Sequence, residues 1–148
     1  MGIEPRVRRS AHNGRGVPPL QVVAAAVIDS GKVLLVSKQE APDVFYLPGG
    51  KPERGEKPPD TLARELEEEL GVTIVDADLL GVVSDQAALE GVAMEMHVYL
   101  VRVSSPISAR AEIAALAWVG ADGDGPGRLA PAIRNHVLPE LAARQLIS

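Results

Sequence analysis

Apolar and polar positions follow two rhythms along this chain. QVVAAAVID (residues 21–29) and KVLLVSKQ (32–39) are nearly unbroken runs of small and branched apolar residues, the pattern of strands buried on both faces, with Ser30-Gly31 as the turn between them. FYLPGG (45–50) predicts a short strand stopped by Pro48 and two glycines, and residues 51–57 a polar loop. The period then lengthens. Pro58, Pro59, Asp60 and Thr61 open a helix, Gly71 closes it, and Leu62, Ala63, Leu66 and Leu70 form its apolar stripe. Beyond it, VTIVDADLLGVVS (72–84) predicts a strand, DQAALEG (85–91) a loop, and VAMEMHVYLVRV (92–103) a long strand of alternating character. IAALAWVG (113–120) predicts another strand, ADGDGPG (121–127) a loop, and residues 129–146 a terminal helix broken at Pro139. Strand alternating with helix indicates an α/β layered domain.

Composition narrows the class. A chain of 148 residues, 46% hydrophobic, suits one domain with a single core. There is no cysteine, which excludes disulfides, thiolate metal sites and cysteine nucleophiles. No apolar run reaches the length of a membrane span, and the N-terminus lacks the apolar stretch of a secretory signal, so a soluble, cytoplasmic protein is expected. Residues 1–20 carry four arginines against Glu4, a net +3, so the rest must carry −8 to reach the total of −5. That acidic body argues against nucleic acid as a partner. The basic stretch, residues 1–19, reads as a flexible arm, and 20–148 as the folded domain.

Four of the five positions from Glu65 to Glu69 are carboxylates. At about 100° per residue, Glu65, Glu68 and Glu69 share one helix face beside the leucine stripe, whereas Glu67 points away. Like charges at these spacings repel, and clustered carboxylates do not all stay ionised without a counter-charge. A divalent cation supplies one, and oxygen-only ligation favours Mg²⁺ or Mn²⁺. Arg64, four residues before Glu68, can brace that carboxylate. The competing reading is a solvated acidic face. The preceding loop tips the balance: Gly49 and Gly50 permit close backbone approach, and Lys51, Arg54 and Lys57 place cations where phosphate oxygens can sit.

Loop and helix together run Gly50-x5-Glu56-x7-Arg64-Glu65-Leu66-x-Glu68-Glu69-x-Gly71-Val72. This resembles the Nudix box, with every defined position filled. The resemblance implies the Nudix fold, an α/β/α sandwich around a mixed sheet. It also implies hydrolysis of a nucleoside diphosphate linked to another group, with water and a divalent metal. By position, Glu65, Glu68 and Glu69 would ligate Mg²⁺ or Mn²⁺, with the Gly49 carbonyl completing the shell. Glu65 or Glu68 would serve as or orient the base, Arg64 would orient the glutamates, Glu56 would brace the loop, and Lys51 would contact the diphosphate.

The substrate is approached by elimination within the family. Residues 73–105 lack the proline that some ADP-ribose pyrophosphatases of the family carry past the box, and no tyrosine lies between Gly71 and Tyr99, where dinucleoside polyphosphate hydrolases often have one; the extended motif of the coenzyme A subgroup is also missing. What remains resembles the small nucleotide-sanitising members, which cleave nucleoside triphosphates, oxidised ones included. ADP-ribose or nucleotide-sugar cleavage and a non-catalytic nucleotide-binding module stay open as alternatives, and so does a homodimer. Few aromatics are available to stack on a base. Of the neighbours Phe45 and Tyr46 only one can face the site, with Tyr46 the candidate, and Trp118 reads as core. Glu95, His97 and Tyr99 share the polar face of the long strand, which makes Glu95 a candidate pocket residue; the histidines read as packed or surface groups. A further carboxylate is expected from outside the box. Glu112, in the loop six residues before Trp118, resembles a catalytic or metal-binding position of some members and is preferred to Glu95.

Overall fold

The computed structural model describes residues 3–4 and 17–148. The basic arm therefore lies outside the described residues, apart from residues 3–4 and 17–19. Strands β1 (Ile3–Glu4), β2 (Leu20–Asp29), β3 (Lys32–Lys38), β4 (Ala41–Tyr46) and β5 (Gly49–Gly50) precede helix α1 (Pro58–Leu70). Strands β6 (Ile74–Gln86), β7 (Ala93–Val103), β8 (Ile113–Val119) and β9 (Arg128–Leu129) follow, and α2 (Leu138–Ala143) comes last. The sheet runs β1-β6-β7-β2-β3-β4-β9, with β5 on β2 and β8 on β3. Parallel pairing of β2 with β7 beside antiparallel β6–β7 and β3–β8 makes it mixed, as expected.

The apolar runs explain the layering. Residues Val23–Val27 and Val33–Val36 are all buried because each strand has helix or loop on both faces. Val23, Ala25, Leu34 and Val36 face α1 through Leu62, Leu66 and Leu70. Ala24, Ala26, Val33 and Leu35 face the opposite way, toward Ile133, Val137, Leu138 and Leu141. Ser30 and Gly31 both take positive φ (52° and 76°), a hairpin turn whose twist suits the flanking strands. β2 and β3 pair only beside that turn, at Ile28–Val33 and Asp29–Lys32. The other half of β2 pairs with Gly49 and Gly50 instead, so the sheet opens next to the loop that enters α1.

Several expectations need correction. Ala63, at the far edge of the helix stripe, is exposed. Lys57 is the residue at the helix start, its N–H reaching Asp60 at 3.4 Å, while Thr61 donates to Glu56 at 2.9 Å instead of capping. The expected break at Pro139 does not occur: residues 131–143 stay helical, and Ile133–Val137 widen into a π turn ahead of α2. A proline lacks an N–H and crowds the carbonyl four residues back, and Pro139 is accommodated in the first turn after the widened segment. Trp118 is 39% exposed, because β8 pairs with β3 alone and the ring sits at the sheet margin. No helix among the described residues is long and apolar enough to cross a membrane.

Leu66 is fully buried between α1 and the sheet. Leu66→Ala should destabilise the fold by about 2–5 kcal/mol in urea unfolding. A loss under about 1 kcal/mol would show that α1 does not depend on this contact.

Candidate active site

Arg64 is the hub of the acidic helix. Its Nε and Nη2 hold the two Glu56 oxygens at 2.7 and 2.9 Å, and Nη2 also donates to the Lys51 carbonyl at 3.1 Å. Its Nη1 reaches Glu65 at 3.0 Å, Glu68 at 3.6 Å and Glu53 at 3.7 Å. Glu56 in turn accepts from the Glu53 N–H at 2.8 Å and from the Thr61 hydroxyl. The guanidinium hydrogen bond, with that N–H, brings the Glu56 carboxyl down to about 2. Loop 51–57 is thereby stapled to α1 by charge-assisted bonds.

Glu69 is the residue under tension. Only 1% of it is exposed. One oxygen accepts the Gly49 N–H at 3.2 Å, and the other is buried with no hydrogen-bond partner among the described residues. Burial, and then the charge of Glu65, push its carboxyl up to about 8, an effect the Gly49 N–H and the Lys38 charge only partly offset. The glycines explain how the carboxylates come so close to backbone. A Cβ on Gly50 would fall within the Glu65 carboxylate, and one on Gly49, at φ 147°, would strike the Val23 carbonyl.

This chemistry suits a hard cation: an orphaned buried oxygen, a second carboxylate beside it and all-oxygen donors. The expected convergence of three carboxylates is nevertheless not preassembled. Among the described residues no three carboxylate or histidine side chains are grouped for coordination. Glu68 has a side chain 55% exposed and turned to Arg64, because the guanidinium supplies the counter-charge. The contact that joins Gly49 to the cluster is made by its N–H.

A cavity of about 110 Å³ lies on the far side of Gly49 and Gly50. Val22, Leu47, Met94, Met96, Ala132 and Ile133 give it apolar walls, with Tyr46 among them. Lys38, Lys51, Gln86 and Glu90 add its polar groups. Lys51 is paired with Glu90 at 3.3 Å, and Lys38 with Glu112 at 3.7 Å. Lys38 is a neighbour that Glu112 and Glu69 share: it pairs with the first and its charge partly offsets the second. The Glu112 side chain is 52% exposed, and Ala111 before it has φ 54°.

The aromatic and strand residues sort differently from expectation. Phe45 is buried in the core, leaving Tyr46 at the cavity. Glu95 does not line the cavity: it accepts from Gln21 at 3.1 Å on the opposite face of β7, and His97 approaches the same glutamine. The face turned to the cavity carries Met94 and Met96, because a pocket built within the core layer presents apolar side chains. Arg54 is exposed on the loop. Lys38 and Gln86 escaped the reading of the sequence. A lysine and a glutamine ending otherwise ordinary strands are visible signals, but only the tertiary fold brings both to one cavity.

Known proteins share this fold. A family model described as the NUDIX domain matches residues 18–135. A Mycobacterium tuberculosis protein provisionally named 8-oxo-dGTP diphosphatase 2 is 35% identical over 103 residues, 68% of this chain and 72% of that one. An ADP-ribose pyrophosphatase of Bacillus subtilis is 35% identical over 99 residues, 64% of this chain and 52% of that one. Among solved structures, a MutT NUDIX hydrolase from Burkholderia pseudomallei superposes with a TM-score of 0.70 at 32% identity, over 84% of this chain and 98% of that one.

The raised Glu69 carboxyl has a measurable consequence for the metal-free protein. Below the ordinary carboxyl value of 4.5 both states hold the proton; between 4.5 and about 8 the unfolded chain releases it while the folded protein keeps it. Stability should therefore fall as pH rises through that window and level off above it, by on the order of a few kcal/mol. Urea unfolding in EDTA at pH 5 and pH 8 measures the loss, and Glu69→Gln should abolish most of it. Equal pH dependence in both proteins would remove Glu69 as the cause.

Proposed function

This chain belongs to the Nudix family of hydrolases, which act on phosphoric anhydrides, and on that premise we propose that its substrate is a nucleoside triphosphate, cleaved by water to the monophosphate and pyrophosphate. One observation carries the reading. The apolar cavity ends at Gly49 and Gly50, where Glu69 and Glu65 rest from the other side, and Lys38 and Lys51 stand on its rim. A heterocycle seated in such a cavity directs its phosphates past two cations toward the acidic helix. Gln86 and Tyr46 offer the few polar groups that orient base and sugar in a mostly apolar site. Relatives named for 8-oxo-dGTP make an oxidised purine nucleotide the first substrate to try.

Glu65, Glu68 and Glu69 are the residues that would hold a divalent cation, Mg²⁺ or Mn²⁺, which when bound neutralises charge developing on the phosphoryl oxygens. The chain's own groups do the rest. Arg64 keeps Glu65 and Glu68 oriented, and Lys51 exchanges Glu90 for phosphate, an exchange that is cheap because an exposed pair is worth at most about 1 kcal/mol. Water adds to phosphorus, its proton passes to a glutamate, and pyrophosphate leaves. We assign that glutamate's role to Glu112, drawn off Lys38 when substrate arrives. No covalent nucleophile is required.

Turnover of a panel of nucleoside triphosphates, 8-oxo-dGTP and ADP-ribose, with Mg²⁺ and with EDTA, tests the substrate. The expected products are monophosphate and pyrophosphate in the Mg²⁺ arm; cleavage of ADP-ribose alone would overturn the reading. Glu68→Gln should lower kcat on the order of 10²- to 10³-fold, since it removes a charge worth several kcal/mol in the transition state. Glu67→Gln, on the exposed side, is the control and should be almost silent.

Glu112→Gln should lower kcat while leaving stability within about 0.5 kcal/mol, as befits an exposed side chain. Normal turnover by Glu112→Gln together with a loss in Glu95→Gln would transfer the role to β7.

A further inference from the structure

Tyr46 closes β4, one residue before the Leu47-Pro48-Gly49-Gly50 segment that enters the acidic loop. Its ring packs against both apolar clusters of the protein and forms part of the cavity wall. Its hydroxyl oxygen is buried and has no hydrogen-bond partner among the described residues. Buried polar atoms are nearly always paired, so an unpaired one calls for a physical reason. Repulsion from a neighbouring cation is not that reason. Burial first, and then the charges of Glu69, Glu40, Glu90 and Glu112, keep the phenol protonated. The group thus holds a proton that nothing in the described protein accepts.

Its location narrows the choice of acceptor. Tyr46 shares the cavity wall with Leu47, Gly49 and Gly50, and Glu69, which bonds the Gly49 N–H, is the carboxylate whose charge it feels most. A ligand reaching from the apolar cavity to the acidic helix passes this wall between the two. In a nucleotide the part between the base and the outer phosphates is the sugar and its first phosphate. We propose that the Tyr46 hydroxyl donates a hydrogen bond to an oxygen of the sugar–α-phosphate unit, so that Tyr46 selects substrate through its hydroxyl and not by stacking its ring on a base. The inference rests on the nucleoside triphosphate reading above.

A group left unpaired in the free protein and paired in the complex has a distinctive signature: its removal should help folding and hurt binding. Tyr46→Phe is the test, read by Tm without ligand, by kcat/KM, and by the Tm shift that a non-hydrolysable α,β-methylene nucleotide produces. Tm without ligand should stay level or rise. The kcat/KM for deoxynucleoside triphosphates should fall roughly threefold to tenfold, as for one neutral hydrogen bond, and the ligand-induced shift should shrink. Dideoxynucleotides separate the two sources of the acceptor. An effect of Tyr46→Phe that vanishes with them assigns the 3′-hydroxyl, and one that persists assigns an α-phosphate oxygen. A drop in Tm without ligand would make the hydroxyl a structural group and overturn the inference. Wild-type kcat/KM and ligand shift in the variant would overturn it equally. If the wild-type protein cleaves none of the nucleoside triphosphates, the substrate reading itself fails, a result distinct from either.

Discussion

Two nitrogens of the Arg64 guanidinium hold both oxygens of Glu56, and one of them also takes the Lys51 carbonyl. That places a loop of seven residues with little apolar content at a fixed height above α1. The third nitrogen spans Glu53, Glu65 and Glu68. A planar five-donor fork can serve so many acceptors at once; an ammonium at the same place would act as a point charge without this geometry. The loop's position sets where Gly49 and Gly50 lie, and those glycines set how closely Glu65 and Glu69 approach the backbone. Disturbing the guanidinium would therefore displace the acidic face and the cavity mouth together.

Glu69 shows what this construction asks of the fold. A carboxyl packed at 1% exposure beside another carboxylate is unfavourable for an isolated protein, and a core built for stability alone would place an apolar residue there. Its retention next to a glycine N–H makes sense for a site that must concentrate negative charge at one point. Stability and function pull in opposite directions at this residue, and the three fully buried leucines of α1 offset the difference. Tyr46, on the cavity wall that also includes Gly49, presents the same conflict in a neutral group.

The opening of the sheet connects these two features. β2 leaves β3 after the turn, and the space is filled by a two-residue strand of glycines, too small to cover the gap with side chains. The cavity forms on one side of this seam and the acidic face on the other. Across it the surroundings change from apolar walls to lysines to carboxylates, the order that the proposed nucleotide substrate requires.

Much of this was legible in the chain before any coordinates. The helix from Pro58 to Leu70, its carboxylate face and the two-sided burial of the central strands follow from local rules: side-chain spacing and turn residues act within a few positions. The spacing fixed angles around a helix axis but not depth, so Glu68 and Glu69 looked alike although one is largely solvated and the other sealed. Alternation along β7 defined two faces without saying which one a cavity would occupy, and the polar face holding Glu95 proved to be turned away. Lys38, Gln86 and the exposed edge position of Trp118 depended on strand pairing across the sheet. Those choices belong to tertiary structure, because burial and pairing are set by which distant segment covers a residue, and no local pattern carries that information.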